Sequence, residues 1–566
     1  MTESPTAIPE KPLASSASRI GWAILIFATL YVCYFGHLGA IGFVGPDEPR
    51  YAWIARDMTE TGDWVTPRLY GKPWFEKPPL FYWGAAICFK VFGVSEAAAR
   101  LPSAISALLA TLALAWLALR LYGAETARWL LLLLPTSVGM IGFSHAAATD
   151  MPFSGMLTMV MVCAVVVLGL TRNENTPILP RTPWVALILF GFFLGLAVLA
   201  KGPAAIVLTG GAVFFWALFT IRWRDVFRLL HPASIAAFCL TALPWYVLCA
   251  RRNPDFFRIF IIEHNFKRFL TLEFQHIQPF WYYGPIILVA LIPWLALLIP
   301  FSMDLQQSWK AERLRKPAPL LLLLWAGFAI LFFSVSKSKL PGYVLPAVPP
   351  LVLLLADTCR RLKEKTAQIQ QWTVGVLGLT FLGLTYGVFR VAAWNFSKLD
   401  PNADGSFPTV DRLPLIIFLL GAGYIFVLAT RGHLTTAFLL GTGTLLLGML
   451  TFFNSTMFSL DDLSARQFAR PPVRSMREYP PNEVAYYKLR RSYQYALSFY
   501  LHQELPPWSP GDVQFKWVFT DFRNAQEAGK EGLACTMPFF IVVWRPIVVC
   551  QNPALPGRPT GSGQPK

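Results

Sequence analysis

Charge is scarce in this chain. Only 14% of its 566 residues are Asp, Glu, Lys or Arg, and 55% are hydrophobic. Apolar runs near 20 residues recur along it, so a soluble globular class is excluded and a polytopic α-helical membrane protein is expected. Acidic residues are the scarcer sign: 32 against 49 basic ones, a formal net charge of +17. Cytoplasmic loops that obey the positive-inside rule account for such an excess, and anionic lipid or phosphate ligands add a second cause. No nucleic-acid module is visible, and no nucleic acid is expected as a partner. The eight cysteines include no pair with metal-site spacing. Cys33, Cys88, Cys163, Cys239 and Cys249 sit in or beside apolar segments as packing residues. Cys535 and Cys550 form a disulfide only if the C-terminal region is extracytoplasmic. No internal repeat is evident.

What is present is organised around Gly45–Leu80, GPDEPRYAWIARDMTETGDWVTPRLYGKPWFEKPPL. It is the first polar segment after a long apolar run. Asp47, Glu48, Asp57, Glu60, Asp63 and Glu76 alternate with Arg50, Arg56, Arg68, Lys72 and Lys77, and aromatics lie between them. A mixed-charge loop beside an apolar helix fits work at the water–lipid boundary.

Residues 1–19 read as a cytoplasmic tail and 20–44 as the first span, too long for a signal-peptide core. The apolar stretch 78–94 is short and contains Lys90, so it is expected to lie along the outer surface. That choice also orders the charges. With 78–94 outside, Arg120/Arg128, Arg172/Arg181, Arg222/Arg224/Arg228, Lys310/Arg313/Arg315/Lys316, Arg360/Arg361/Lys363/Lys365 and Arg431 all face inward. Further spans are expected near 101–119, 129–145, 152–170, 183–200, 203–221, 232–250, 280–301, 318–336, 340–356, 371–390, 413–430 and 434–453. The total is about 13 helices, which leaves the C-terminus outside. Residues 20–454 thus form the membrane domain, with an active-site loop at 45–99. Residues 455–566 form a small extracytoplasmic α/β domain, in which EVAYYKL, VQFKWVF and FFIVVWRPIVV read as strands and SYQYALSFYLHQEL as a helix with an aromatic face.

Candidate chemistry then gathers at one face. Asp47-Glu48 follows Gly45-Pro46, where adjacent carboxylates suit a general base or a metal contact; a solvated helix end is the structural alternative. Asp150 sits alone at the mouth between two spans, as a paired functional acid or as a helix cap. Lys77 stands before a rigid Pro pair and suits a phosphate. Lys201 ends an apolar helix and either snorkels or meets a phosphate. Arg251, Arg252, Arg258, Lys267 and Arg268 flank Glu263-His264 on the outer side, against the positive-inside trend, which an anionic headgroup would explain. Lys337, Lys339 and Tyr343 add donors there.

The opening loop, with GVSEAAARLPSAISALLA, AATDMPF, AKGPAA, EHNFKRF and KSKLPGYVLP, resembles the ArnT-like aminoarabinose transferases. It also resembles the wider GT-C superfamily of polyprenyl-phosphate-dependent glycosyltransferases, which includes protein O-mannosyltransferases. The likeness covers about the first 350 residues; beyond that, YQYALSFYL is similar only in style to an aromatic helix of the family's soluble domain. The resemblance implies an all-α polytopic GT-C fold and inverting transfer from an undecaprenyl-phosphate-linked sugar, with lipid A as the acceptor. A protein or envelope-glycan acceptor is the alternative, and a lipid-linked-sugar flippase is the reading from another class. It implies Asp47 and Asp150 as the acidic residues of the site, Glu76 with His264 as holders of a divalent metal, zinc by the family's pattern, and Lys77 on the donor phosphate. Arg50, Lys201, Lys337, Lys339 and Tyr343 follow as donor-site contacts. It further implies a bacterial inner-membrane monomer, with a site facing the periplasm and no organic cofactor.

Overall fold

The structure, a computed structural model, describes residues 16–171, 183–267, 277–310, 317–399, 409–455, 464–469, 479–535 and 547–553. The loop bases Arg172, Arg181, Arg313, Arg315 and Lys316, together with Arg268 and the first part of the expected strand 539–549, lie outside the described residues.

Helix α1 (Ser16–Tyr34) is shorter than the expected 20–44. Its chain turns at Gly36 and at His37, which has φ 59°, and residues 35–46 run out of the helix. Helix α2 (Asp47–Thr61) then stops at Gly62, whose φ of 73° gives the left-handed cap that favours glycine. A hairpin of β1 (Arg68–Leu69) and β2 (Lys72–Pro73) follows; Tyr70 and Gly71 turn it with φ of 54° and 74°. Helix α3 (Leu80–Phe92) buries Phe81, Tyr82, Ala85, Ala86, Cys88 and Phe89 and leaves Ile87, Val91 and Phe92 exposed. Its apolar outer face fits a helix lying in the membrane interface.

The bundle proper comprises α4 (Glu96–Tyr122), α5 (Ala124–Leu133), α6 (Val138–Ser144), α7 (Asp150–Val167), α8 (Trp184–Lys201), α9 (Ala204–Thr220), the short α10 (Trp223–Phe227), α11 (Pro232–Arg252), α12 (Tyr283–Leu291), α13 (Leu298–Lys310), α14 (Pro317–Val335), α15 (Val348–Arg361), α16 (Ala367–Leu399), α17 (Thr409–Arg431) and α18 (Leu434–Ser455). Among the described residues, nine helices are long and apolar enough to cross a membrane, or eleven if each bent pair is one span. The shorter apolar helices α1 and α9 bring the set to the thirteen expected, so the chain is a multi-pass membrane protein.

Two expected spans are broken. Residues 124–144 bend by 60° and 280–306 by 110°. Backbone polar groups freed at membrane depth need partners, and the two breaks supply them to each other. Val138 N–H donates to the Ile292 carbonyl at 2.9 Å, and the Trp294 indole donates to Thr136 Oγ1 at 2.9 Å. Thr380 donates to the Pro293 carbonyl at 3.1 Å.

An ionic network marks the bundle end where α4 finishes and α5 begins. Asp304 binds Arg361 at 2.8 Å and also Lys365, Asp357 binds Arg360 and Arg361, and Lys363 meets Glu125 at 2.8 Å. The N-termini of α4 and α7 and the C-terminus of α8 lie at the other end, about 40 Å away by the length of α4.

The C-terminal region holds α19 (Arg466–Ala469), β3 (Val484–Tyr487), α20 (Arg491–Leu501), β4 (Trp517–Asp521), α21 (Ala525–Lys530), β5 (Ala534–Cys535) and β6 (Ile547–Gln551). The sheet order is β3-β4-β6-β5, with β3 parallel to β4 and the other pairs antiparallel. The Cys535–Cys550 disulfide ties β5 to β6. The aromatic helix and β3 stand where the sequence pattern puts them, whereas β4 overlaps only 517–519 of the expected 513–519 and β6 only 547–549 of the expected 539–549.

Candidate active site

Adjacent carboxylates at the start of α2 part company. Glu48 points inward and is 8% exposed. It takes a two-pronged contact from Arg100 on α4, with Nε and Nη2 each at 2.9 Å, a geometry suited to a guanidinium. The same guanidinium donates to the carbonyls of Leu38, Ile41 and Gly42 at 2.8, 2.8 and 3.0 Å. Glu48 also accepts from Val44 N and from Ala147 N, at 2.9 and 2.8 Å. Ala147 lies three residues before Asp150, so this bond sets the N-termini of α2 and α7 side by side. Glu48 is therefore structural, and the general-base or metal reading narrows to Asp47.

Asp47 turns the other way, with its side chain 47% exposed and an ion pair to Arg50. Arg50 reaches on to Glu76 Oε2 at 3.0 Å, and Lys77 sits 3.5 Å from Glu76 Oε1. Four of the expected residues, Asp47, Arg50, Glu76 and Lys77, thus form one array. Burial opposes the Arg50 charge, but the carboxylates of Glu76 and Asp47 outweigh it and hold the guanidinium firmly protonated. Its Nε, the Trp74 indole N–H and the Tyr82 hydroxyl are buried and have no hydrogen-bond partner among the described residues. Burial and the nearby Glu76 keep the Tyr82 phenol protonated, so it is a donor at any physiological pH.

The second group is Asp150 with Lys201, 2.5 Å apart. Asp150 is the first residue of α7, and its carboxylate meets Lys201, not its own backbone as a cap. The Lys201 ammonium lies 4.5 Å from the Tyr343 ring centroid and 5.4 Å from that of Phe153. Gly342 packs directly on Asp150: a Cβ there would stand 2.5 Å from Oδ1. The two groups are joined underneath. Phe75, beside Glu76, shares an apolar cluster with Leu199, two residues before Lys201, and with Trp245, Phe256 and Phe260.

Other expected contacts fall elsewhere. Lys339 is buried, and its ammonium donates to the carbonyls of Gln278 and Ser336 at 3.0 and 2.6 Å. It clamps the loop after α14. Burial and the neighbouring Lys337 push it below the ordinary lysine range. Lys337 is exposed beside it. Of the outer basic residues, Arg252 binds Asp63 at 3.0 Å, and Arg258 binds Asp255 and Glu263 at 3.1 and 2.5 Å. These cations are matched locally by carboxylates, which weakens the headgroup argument for them.

The implied metal does not fit the described donors. His264 lies on the π-helix Arg258–Lys267, one turn beyond Phe260. No group of three or more His, Cys, Asp or Glu residues is gathered among the described residues. Both Glu76 oxygens already face cations, whereas a protein zinc site takes three or four donors.

The family model for dolichyl-phosphate-mannose-protein mannosyltransferases matches residues 21–260. The undecaprenyl phosphate-alpha-4-amino-4-deoxy-L-arabinose arabinosyl transferase of Aeromonas salmonicida (strain A449) is 33% identical over 367 residues, covering 64% of this chain and 65% of that one. The protein of the same name from Serratia proteamaculans (strain 568) is 34% identical over 367 residues, covering 64% of each chain. The chain thus matches just under two thirds of the length of these relatives. The crystal structure of ArnT from Cupriavidus metallidurans bound to undecaprenyl phosphate superposes with a TM-score of 0.71 at 23% identity, covering 95% of this chain and 99% of that one. The chain is thus similar to these transferases over part of their length, and it shares the fold of the Cupriavidus metallidurans protein.

Proposed function

We propose that the chain is an inverting glycosyltransferase that moves a sugar from a polyprenyl phosphate to an extracytoplasmic acceptor. One observation carries the reading: two acidic residues, Asp47 and Asp150, and three cations, Arg50, Lys77 and Lys201, converge at one end of an apolar bundle. A lipid tail is soluble among the helices and its phosphate is neutralised at the rim. Lys77 and Arg50 stabilise the phosphate as it leaves, which is electrostatic stabilisation of developing charge in a partly dry site. The half-exposed Asp47 orients or deprotonates the attacking oxygen. Attack opposite the phosphate inverts the anomeric centre. No step is routed through a metal.

The names of the curated relatives support 4-amino-4-deoxy-L-arabinose as the sugar and undecaprenyl phosphate as its carrier; the proposal adds lipid A as the acceptor, at a periplasmic site on the bacterial inner membrane. The match to the mannosyltransferase family supports a second reading, hexose transfer to protein. A flippase fits less well, because it would place ionisable groups near the bilayer midplane.

The test is Asp47→Asn and Lys77→Ala, assayed in proteoliposomes with radiolabelled polyprenyl-phosphate sugars. Transfer falling at least about a hundredfold is expected if one donor and one acceptor contact are each lost. Near-wild-type turnover in both variants would sink the site. Mass spectrometry of the labelled product separates lipid A from protein acceptors.

A further inference from the structure

The geometry points to the C-terminal domain as a working part of this site, with Tyr495 on α20 as a positioning residue for Arg50. The inference rests on the transferase reading above. Arg50 is enclosed by three rings. Its guanidinium carbon lies 5.3 Å from the Tyr51 centroid, 5.4 Å from Trp74 and 5.7 Å from Tyr495. Tyr51 is on α2 and Trp74 on the opening loop, but Tyr495 comes from the far end of the chain. The Tyr495 ring also stacks on Tyr70, with centroids 6.4 Å apart, and Tyr70 in turn packs edge-on against Trp53 at 4.8 Å. Tyr70 has φ 54°, a backbone state that a tyrosine holds only when its surroundings fix it.

The helix that carries Tyr495 is docked at several points. Tyr500 accepts from Phe43 N at 2.8 Å and donates to Glu96 at 2.9 Å. Phe499 packs edge-on against Phe43 at 4.9 Å. Arg56 donates to the Phe499 carbonyl at 3.3 Å, and His502 meets Glu60 at 3.1 Å. On the neighbouring α19, Arg466 donates to the carbonyls of Gly39 and Ala40 at 3.0 and 2.9 Å. Contacts spread over α2, the unwound segment and the start of α4 fix the helix in place, so the ring face of Tyr495 is presented to Arg50 as a rigid surface.

The consequence is mechanical and electrostatic. Arg50 holds Asp47 with one arm and Glu76 with the other. An aromatic face attracts a guanidinium and restricts where it lies. Tyr495 therefore steadies both carboxylates without touching the substrate.

The experiment is a double-mutant cycle in the full-length protein, with Tyr495→Ala, Tyr495→Phe, Arg50→Gln and the Tyr495→Ala/Arg50→Gln double variant. Both transfer rate and thermal unfolding are read. Tyr495→Ala is expected to lower kcat by about 2- to 30-fold with KM for the lipid donor little changed. Tyr495→Phe keeps the ring face and is expected to stay within about twofold of wild type. In the Arg50→Gln background, Tyr495→Ala should cost nothing more in transfer, and in unfolding it should cost only what its stacking on Tyr70 supplies, less than beside Arg50. Lys488→Ala, which breaks an exposed pair with Glu527 inside the small domain and away from the dock, should transfer at the full rate. The inference is overturned if Tyr495→Ala runs at the wild-type rate, if the phenylalanine fails like the alanine, if the two losses simply add, or if Lys488→Ala falls as far as Tyr495→Ala. Wild-type protein that transfers nothing would refute the transferase reading instead, and the unfolding cycle alone would then decide the Arg50–Tyr495 coupling.

Discussion

Arg100 offers the sharpest test of how the site is built. Its side chain is 3% exposed and that of Glu48 is 11% exposed. Replacing Arg100 with methionine keeps an apolar stem of similar reach but removes five hydrogen bonds. The Glu48 carboxylate then remains buried with only Val44 N and Ala147 N as donors, and the carbonyls of Leu38, Ile41 and Gly42 lose their shared partner. Breaking a buried ion pair by removing one member costs about 3–5 kcal/mol. That corresponds to a shift of roughly two to three and a half decades in the equilibrium between closed and opened states of the segment.

The assay is thermal unfolding of purified protein in detergent, paired with limited proteolysis across residues 35–46. Arg100→Met should unfold earlier and be cut faster in that segment. Arg100→Lys should fall in between, because an ammonium cannot reproduce the fork. The double variant Glu48→Gln/Arg100→Met should recover part of the loss, since no uncompensated charge is left behind. Arg100→Met unfolding at the wild-type temperature with wild-type proteolysis would refute the reasoning. So would a double variant less stable than Arg100→Met.

Three further outcomes follow from the geometry. Gly342→Ala puts a methyl group 2.5 Å from Asp150 Oδ1 and 2.8 Å from Phe143 Cε1; overpacking costs about 1–3 kcal/mol, and transfer should fall roughly 5- to 150-fold, with unchanged kinetics counting against a role for the Asp150–Lys201 pair. Burial alone would raise the Asp63 carboxyl, but N–H donors from Val65 and Thr66 and the charges of Arg252 and Arg68 hold it below its ordinary 3.8. The stability it adds is present above that value and is lost as pH falls through the lower folded one, so Asp63→Asn should flatten the acid limb of thermal stability measured downward from about pH 5; an unchanged limb would remove Asp63 from the account. On the proposed mechanism Asp47, Glu76 and Asp150 are neutralised by the same cations that a phosphate takes up, so donor should bind before acceptor, and product-inhibition patterns showing random order would contradict this.

Much of the architecture was legible because lipid imposes long apolar runs, and the charged residues between them label the two ends. Asp47 and Asp150 stood out for the same reason, as carboxylates at the edges of apolar segments where charge needs a partner. What could not be read was who the partner is. Arg100 stands just before the span expected at 101–119, and its carbonyl partners are backbone atoms with no sequence signature. Helix α1 was overestimated because residues 35–44 are as apolar as a helix; the carbonyls that Arg100 and Arg466 cap explain why they need not be one. Lys339 shows the opposite limit, since the sequence does not tell that its ammonium holds two carbonyls.

The same limit explains Tyr495. Its helix was recognisable from its aromatic face, yet the dock joins residues 457 positions apart at Phe43 and Tyr500, and no local pattern encodes such a pairing. An aromatic stripe on a soluble helix has two physical uses, to fill its own domain's core or to cover another surface. Here the stripe is divided. Leu497 and Ala496 pack into the small domain, whereas Phe499 joins the apolar cluster of α2 and α3, with Tyr495 and Tyr500 against it. A helix committed to two cores cannot leave the membrane domain without uncovering apolar surface on both sides. The opening loop therefore folds as the floor of a site whose roof is supplied by the last domain of the chain, and the array of Asp47, Arg50 and Glu76 forms between them.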